Sequence, residues 1–206
     1  MFLEKVPAGV YAVNCYVIGD EQTNKAAVVD PGGDVDKIIK VLENNDLELK
    51  YILLTHAHGD HIGGLVELRE RTGAPVYIHQ EDLYMLQNSS VNYSQAISGV
   101  KIETNADGFL NDGDRLELGD LTLSIIHTPG HSKGGICIAV GNVLLTGDTL
   151  FANSIGRSDL YGGNQEELIQ SIKNKLFTLD EDLTVLPGHG PATTIRIEKI
   201  TNPYVR

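Results

Sequence analysis

Apolar and polar positions along the chain follow two different periods, and the periods mark out its elements. Short runs rich in Val, Ile and Leu occur at residues 9–18, 25–29, 50–55, 75–79, 115–118, 121–126, 136–140, 143–146 and 183–186, and each predicts a strand. Val35, Ile38, Ile39 and Leu42 fall instead at i, i+3, i+4, i+7 behind Asp34, which predicts an amphipathic helix with Asp34 as its N-cap. Asn164 with Glu167 resembles a capping box, and Leu168, Ile169, Ile172 and Leu176 supply the apolar stripe of a second helix. Two further helices are predicted after Gly64 and after Gln80, and a last one over residues 194–200. Strands and helices mix through the whole length without a Pro- or Ser-rich linker or a repeat of fixed period. Residues 1–206 are therefore expected to form a single α/β domain. The polar segment 87–107, QNSSVNYSQAISGVKIETNAD, is long for a connection in such a domain and predicts a lid, a binding loop or a mobile insert. Its Tyr93 and Lys101 are the side chains suited to touch a substrate, with ordinary packing as the default for each.

Four of the predicted strands share a feature at their ends. KYILLT runs into His56, LSIIHTPG into His131, NVLLTG into Asp148 and LTVLPG into His189. Each apolar run thus delivers a metal-binding residue type at its carboxyl end. In layered α/β folds such ends gather at one sheet edge, where ligands bind, so the four are expected to meet.

Composition narrows the classes of function. With 41% hydrophobic residues, 206 residues can bury a sizeable core. Sixteen basic against 28 acidic residues give a formal charge of −12. Such a field repels phosphate backbones and anionic membranes, which argues against nucleic acid as a partner and against a nuclease. The stretch MFLEKVPAGV lacks the apolar core of a signal peptide and no later run could span a bilayer, so the expected location is cytoplasmic, with no membrane partner. Cys15 and Cys137 sit inside apolar runs and are expected in the core, neither paired nor ligating.

The chemistry concentrates in THAHGDHIGG, residues 55–64, which holds three of the chain's seven histidines. Residues two apart on an extended backbone point the same way, so His56 and His58 can share one metal. Asp60 and His61 would diverge on a regular strand, but Gly59, Gly63 and Gly64 permit a tight bend that aims both at a second point. Imidazole and carboxylate donors suit zinc, and also iron, manganese or cobalt, and the lack of a nearby thiolate argues against a structural zinc finger. His131, Asp148 and His189 bring the set to seven donors, more than one tetrahedral metal uses and enough for two metals sharing a carboxylate and a water. His79 and His127 are expected to be satisfied polar residues near strand ends.

THAHGDH, TPGH, LLTGDTLF and PGHGPATT, in this order and spacing, resemble the motif series of the metallo-β-lactamase superfamily over nearly the whole chain. The resemblance implies a four-layer αββα sandwich with metals in a cleft at the sheet edge. It implies that His56, His58 and His131 hold one metal, that Asp60, His61 and His189 hold the other, and that Asp148 bridges them. The two divalent ions would be zinc foremost, with iron or manganese as alternatives. Asp30 in VVDPGG matches a further motif, an aspartate that orients a ligand histidine; a plain turn residue before Pro31 is the other reading. Class B β-lactamases of the common kind carry cysteine where this chain has Asp148, whereas GRSDLYGG and the final segment look most like glyoxalase II-like hydrolases. That resemblance implies hydrolysis of S-acyl glutathione or related small acyl thioesters by a metal-bridging hydroxide, with Asp60 fixing its orientation. Arg157 and Tyr161 stand near the positions where glyoxalase II contacts glutathione, Arg157 having a salt bridge to Asp159 as its alternative role. The chain ends at residue 206, soon after His189, without the helical C-terminal domain of glyoxalase II. Alternatives within the superfamily are a mononuclear iron persulfide dioxygenase and a lactonase or esterase, and outside catalysis a metal-binding module.

Overall fold

The computed structural model describes residues 1–205. A first mixed sheet takes its strands in chain order: β1 (Phe2–Ala8), β2 (Val13–Asp20), β3 (Lys25–Val29), β4 (Glu48–Leu53), β5 (Val76–Ile78) and β6 (Gly108–Phe109). The first three are antiparallel neighbours and the last four run parallel. The second sheet contains β7 (Arg115–Leu118), β8 (Leu121–His127), β9 (Ile136–Val140) and β10 (Val143–Gly147). A small hairpin, β11 (Leu150–Phe151) with β12 (Ser154–Ile155), precedes the last two strands of that sheet, β13 (Thr184–Pro187) and β14 (Thr193–Thr194), giving the order β14-β13-β10-β9-β8-β7.

Period-two alternation explains how these sheets stack, because each buried strand feeds two different cores. Val13, Cys15 and Val17 of β2 join one core, whereas Tyr16 and Ile18 join another. Ile136, Ile138 and Val140 of β9 meet the residues of the first sheet, while Cys137 faces away into a third core. The middle core is therefore the seam between the sheets. The outer ones are closed by helices: α1 (Val35–Asn44) and α2 (Leu65–Thr72) on the first sheet, then, after the short α3 (Leu83–Leu86), α4 (Ser89–Asn92) and α5 (Ser94–Ser98), by α6 (Gln165–Asn174) and α7 (Ile195–Thr201) on the second. The four-layer αββα sandwich is thus present. Fully burying one Val, Ile or Leu contributes about 1.5–3 kcal/mol, so the three cores hold the layers together. Burial raises both thiols, that of Cys137 to about 11.

Several local expectations need correction. The run 9–18 is not one strand: residues 9–12 turn, and β1 before them pairs antiparallel with β2. With Glu4, Lys5 and Pro7, β1 carries the polar residues and the proline that an edge strand tolerates. Asp34 holds the N-cap position of α1, but its side chain makes no capping bond. It sits at φ 50°, where its carboxylate accepts from the Gly9 N–H and pairs with Lys37. Leu176 lies just past α6 in a 3₁₀ turn, still in the same core. The segment 87–107 is not a structureless loop. It contains α4 and α5, and Asn92, Ser94 and Ile102 within it are buried. Among the described residues no helix is long and apolar enough to cross a membrane.

Candidate metal centre

β8, β10 and β13 run in one direction, because β8 and β10 are each antiparallel to β9 and β10 is parallel to β13. Their carboxyl ends therefore share an edge, and the segments that follow carry His131, Asp148 and His189. The end of β4 arrives from the other sheet with His56, His58, Asp60 and His61, fastened across the seam by the Ile136 N–H donating to the Thr55 carbonyl (2.9 Å).

The seven side chains form two groups. In one, His131 Nε2 lies 2.9 Å from His58 Nδ1 and 3.2 Å from His56 Nε2. In the other, His189 Nε2 lies 3.1 Å and His61 Nε2 3.9 Å from Asp60 Oδ2. Asp148 stands between them, Oδ2 at 3.6 Å from His131 Nε2 and Oδ1 at 3.3 Å from His61 Nε2. Nitrogens bound to one tetrahedral zinc lie roughly 3.3 Å apart, so these spacings fit shared ions. Buried His61 Nε2 and Asp148 Oδ1 have no hydrogen-bond partner, a condition that costs about 1–3 kcal/mol per group and that a cation between them would relieve. Asp30, His56 and His61 also come close enough to bind an ion. The oxygens of Asp30 are already committed, however: they accept from the Thr55 N–H (2.7 Å), the Thr55 hydroxyl (2.6 Å) and His61 Nδ1 (2.9 Å).

Those contacts set which nitrogen each ring offers. His61 donates through Nδ1 to Asp30, leaving Nε2 as the free donor atom, and His131 likewise directs Nδ1 at the Arg157 carbonyl (2.6 Å). The Thr55 hydroxyl spends its proton on Asp30 and so faces His56 Nδ1 (3.1 Å) as an acceptor. A buried carboxylate, Asp82, joins the two strand-end segments of the first group. It accepts from the Ala57 N–H (3.3 Å), the Ser132 hydroxyl (2.7 Å) and the Gly134 N–H (2.6 Å), and burial raises its pKa. Thr55 opens the THAHGDH stretch without a role expected of it there, and Asp82 carries no sequence signal of its own.

Charge is unevenly divided. Burial, followed by neighbouring imidazoles, holds His56 well below its ordinary pKa and brings His58 to about 3, so both offer neutral rings. Burial also pulls on His61, but Asp148 and Asp30 on either side outweigh it and raise its pKa. Asp148 is pushed up by burial and, more strongly, down by His61, His131 and His189, so it remains ionised; Asp60 is lowered in the same way by His189 and His61.

A cavity of about 520 Å³ opens over both groups, walled by Tyr11, Tyr93, Ile97, Phe151, Leu160 and Arg157. Arg157 holds Asp159 in a two-armed pair (2.8 Å each) at the surface. Tyr161 does not line the cavity; its ring lies beside Tyr84, 5.7 Å between centroids. His79 and His127 are apart from the centre and stack on one another at 3.9 Å.

The family profile described as the metallo-beta-lactamase superfamily matches residues 8–189. The chain belongs to the metallo-beta-lactamase superfamily. Among its superfamily relatives, a probable metallo-hydrolase, YqgX, of Bacillus subtilis is 41% identical, covering 98% of this chain and 96% of that protein. Hydroxyacylglutathione hydrolase GloC of Haemophilus influenzae is 38% identical over 100% of this chain and 98% of its own length. The crystal structure of BLEG-1 B3 metallo-beta-lactamase superposes with a TM-score of 0.92 at 39% identity and 99% coverage of both chains. TTHA1623 in a di-iron-bound form superposes with a TM-score of 0.85 at 32% identity, covering 99% of this chain and 100% of that one. Superfamily membership and the two donor groups make a metal-dependent hydrolase the coarse reading of this chain.

Proposed function

We propose that the chain, acting as one domain, is a dinuclear metal-dependent hydrolase of small acyl thioesters. The observation that carries this reading is the pair of donor groups with Asp148 between them. His56, His58 and His131 would hold one ion, Asp60, His61 and His189 the other, and Asp148 both. Two bound divalent ions supply a nucleophilic water near neutral pH and a Lewis acid for the acyl oxygen. Asp60, held by His189 at 3.1 Å, is placed to fix the direction of that nucleophile. Asp148 and Asp60 are ionised, so neither offers a proton to a leaving group. A thiolate, whose conjugate acid has a pKa of about 8.5, leaves without one, whereas an amide nitrogen does not. The similarity to a hydroxyacylglutathione hydrolase supports this choice, and the similarity to BLEG-1 makes β-lactams the rival to test. Seven donors in two groups favour this reading over a mononuclear iron dioxygenase, which would leave most of them idle.

The test is one panel of substrates on metal-loaded protein. S-lactoylglutathione and smaller acyl thioesters are expected to be cleaved in preference to β-lactams and phosphodiesters. Elemental analysis should give about two ions per chain and identify them, chelation should stop turnover, and Asp60→Asn should be inactive. Intact thioesters alongside cleaved β-lactam, or oxygen uptake with a persulfide on a single iron, would overturn the reading.

A further inference from the structure

Tyr93 is held in a conformation that its residue type disfavours. Its φ of 62° lies in the left-handed region, where a bulky side chain is an outlier and glycine or asparagine would be at ease. The residues on either side enforce it. Asn92 is buried, its amide donating to the Met85 and Ile102 carbonyls while its side-chain oxygen accepts from the Ser94 N–H. Its backbone carbonyl accepts from the Gly59 N–H at 2.7 Å, and Gly59 sits between His58 and Asp60. Gly59 admits no side chain, since a Cβ there would stand 2.4 Å from the Ser94 Cα. The strained turn is therefore locked to the metal-ligand motif itself, and it sets the half-buried Tyr93 ring in the cavity wall, 6.0 Å from the His58 ring.

The hydroxyl is placed as well as the ring. It accepts from the Tyr161 N–H at 3.3 Å, and among the described residues no acceptor takes its own proton. A phenol oxygen anchored from one side, with its proton free, on the flank of a cavity that also exposes His58, His131 and Asp148, can donate to a molecule bound there. We propose that Tyr93 is a catalytic residue that contacts the substrate and donates a hydrogen bond to the scissile acyl oxygen, one that tightens as charge develops there. The assignment deepens the hydrolase reading and rests on it. Strain maintained at a residue beside a reactive centre is expected where the side chain is used.

Tyr93→Phe decides the matter, because it keeps the ring packed against His58 and removes only the hydroxyl. Two readouts on metal-loaded protein are taken: steady-state kinetics on a chromogenic acyl thioester, and calorimetric binding of lactate, whose carboxylate oxygens imitate the charged acyl oxygen. The expected result is a loss of about tenfold to a hundredfold in kcat with KM nearly unchanged, weaker lactate binding, and an unchanged metal content and melting temperature. Unaltered kcat and lactate affinity in Tyr93→Phe would overturn the proposal and leave the ring as packing. If the wild-type protein cleaves no thioester, the hydrolase reading fails by itself, and the lactate measurement still decides whether Tyr93 is a donor.

Discussion

Asp30 combines three tasks in one side chain. From a left-handed backbone (φ 53°) it receives the Thr55 N–H and hydroxyl and His61 Nδ1, and through Thr55 it also reaches His56. The sequence left two readings for it, a turn residue or an orienting one, and the contacts favour the second while the turn is also present. Asp30→Asn keeps the shape but sets an amide against a donor. Metal affinity, read by competition with a chelator, is expected to fall about tenfold to a hundredfold; an unchanged affinity would reduce Asp30 to a turn. The convergence of the seven side chains was legible because their spacing in THAHGDH and at four strand ends is itself a signal. The roles of Thr55 and Asp82 were not, since Ser, Thr and Asp are ordinary in loops and the partners of these two side chains lie as much as 52 residues away in sequence. Asp82→Ala would strand the Ala57, Ser132 and Gly134 donors in a buried place, at about 1–3 kcal/mol each. Urea unfolding of the metal-free protein is expected to show a loss of that order, and a change below about 0.5 kcal/mol would deny Asp82 this role.

At the scale of elements, the sheets and the long helices could be read because one period governs each of them. β2, β3, β9 and β10 alternate strictly, and α1 and α6 keep a single apolar face. What escaped was set by tertiary contact. β1 is an edge strand whose apolar residues are interrupted by Glu4, Lys5 and Pro7, and α4 and α5 are too short to show a period. They have a second role beside the lid or binding loop expected of this segment, whose Tyr93 and Ile97 wall the cavity. They support the ligand motif through the Gly59–Asn92 backbone bond, so deleting residues 94–102 is expected to lower metal content as well as alter KM. Elemental analysis tests the second role, since full metal content in the shortened protein would leave only the lid. Gly59→Ala should show the same loss on a smaller scale, its Cβ forcing Ser94 away.

Across the whole molecule, the buried imidazoles tie stability to acidity once metal is removed. His56 and His58 have lowered pKa values, His58 about 3, so the folded chain declines protons that the unfolded chain accepts below about pH 6.5. Each therefore withdraws stability as pH falls below that point. His61, with a raised value, acts in the opposite sense: its contribution is complete below about pH 6.5 and fades as pH rises through its folded value. Below about pH 6.5 the contribution of His61 no longer changes while those of His56 and His58 are being lost, so the melting temperature of chelated protein is expected to drop between pH 6.5 and pH 5. A flat profile over that range would contradict the burial of the two rings. The division of the donors between the sheets reaches further than catalysis. His56, His58, Asp60 and His61 belong to the half of the chain that builds the first sheet, and His131, Asp148 and His189 to the half that builds the second. Each ion would then be a rivet through both halves, adding RT ln(1 + [L]/Kd) to their association. Severed at the 111–114 turn, the two pieces would make a split protein whose reassembly reports the concentration of free metal.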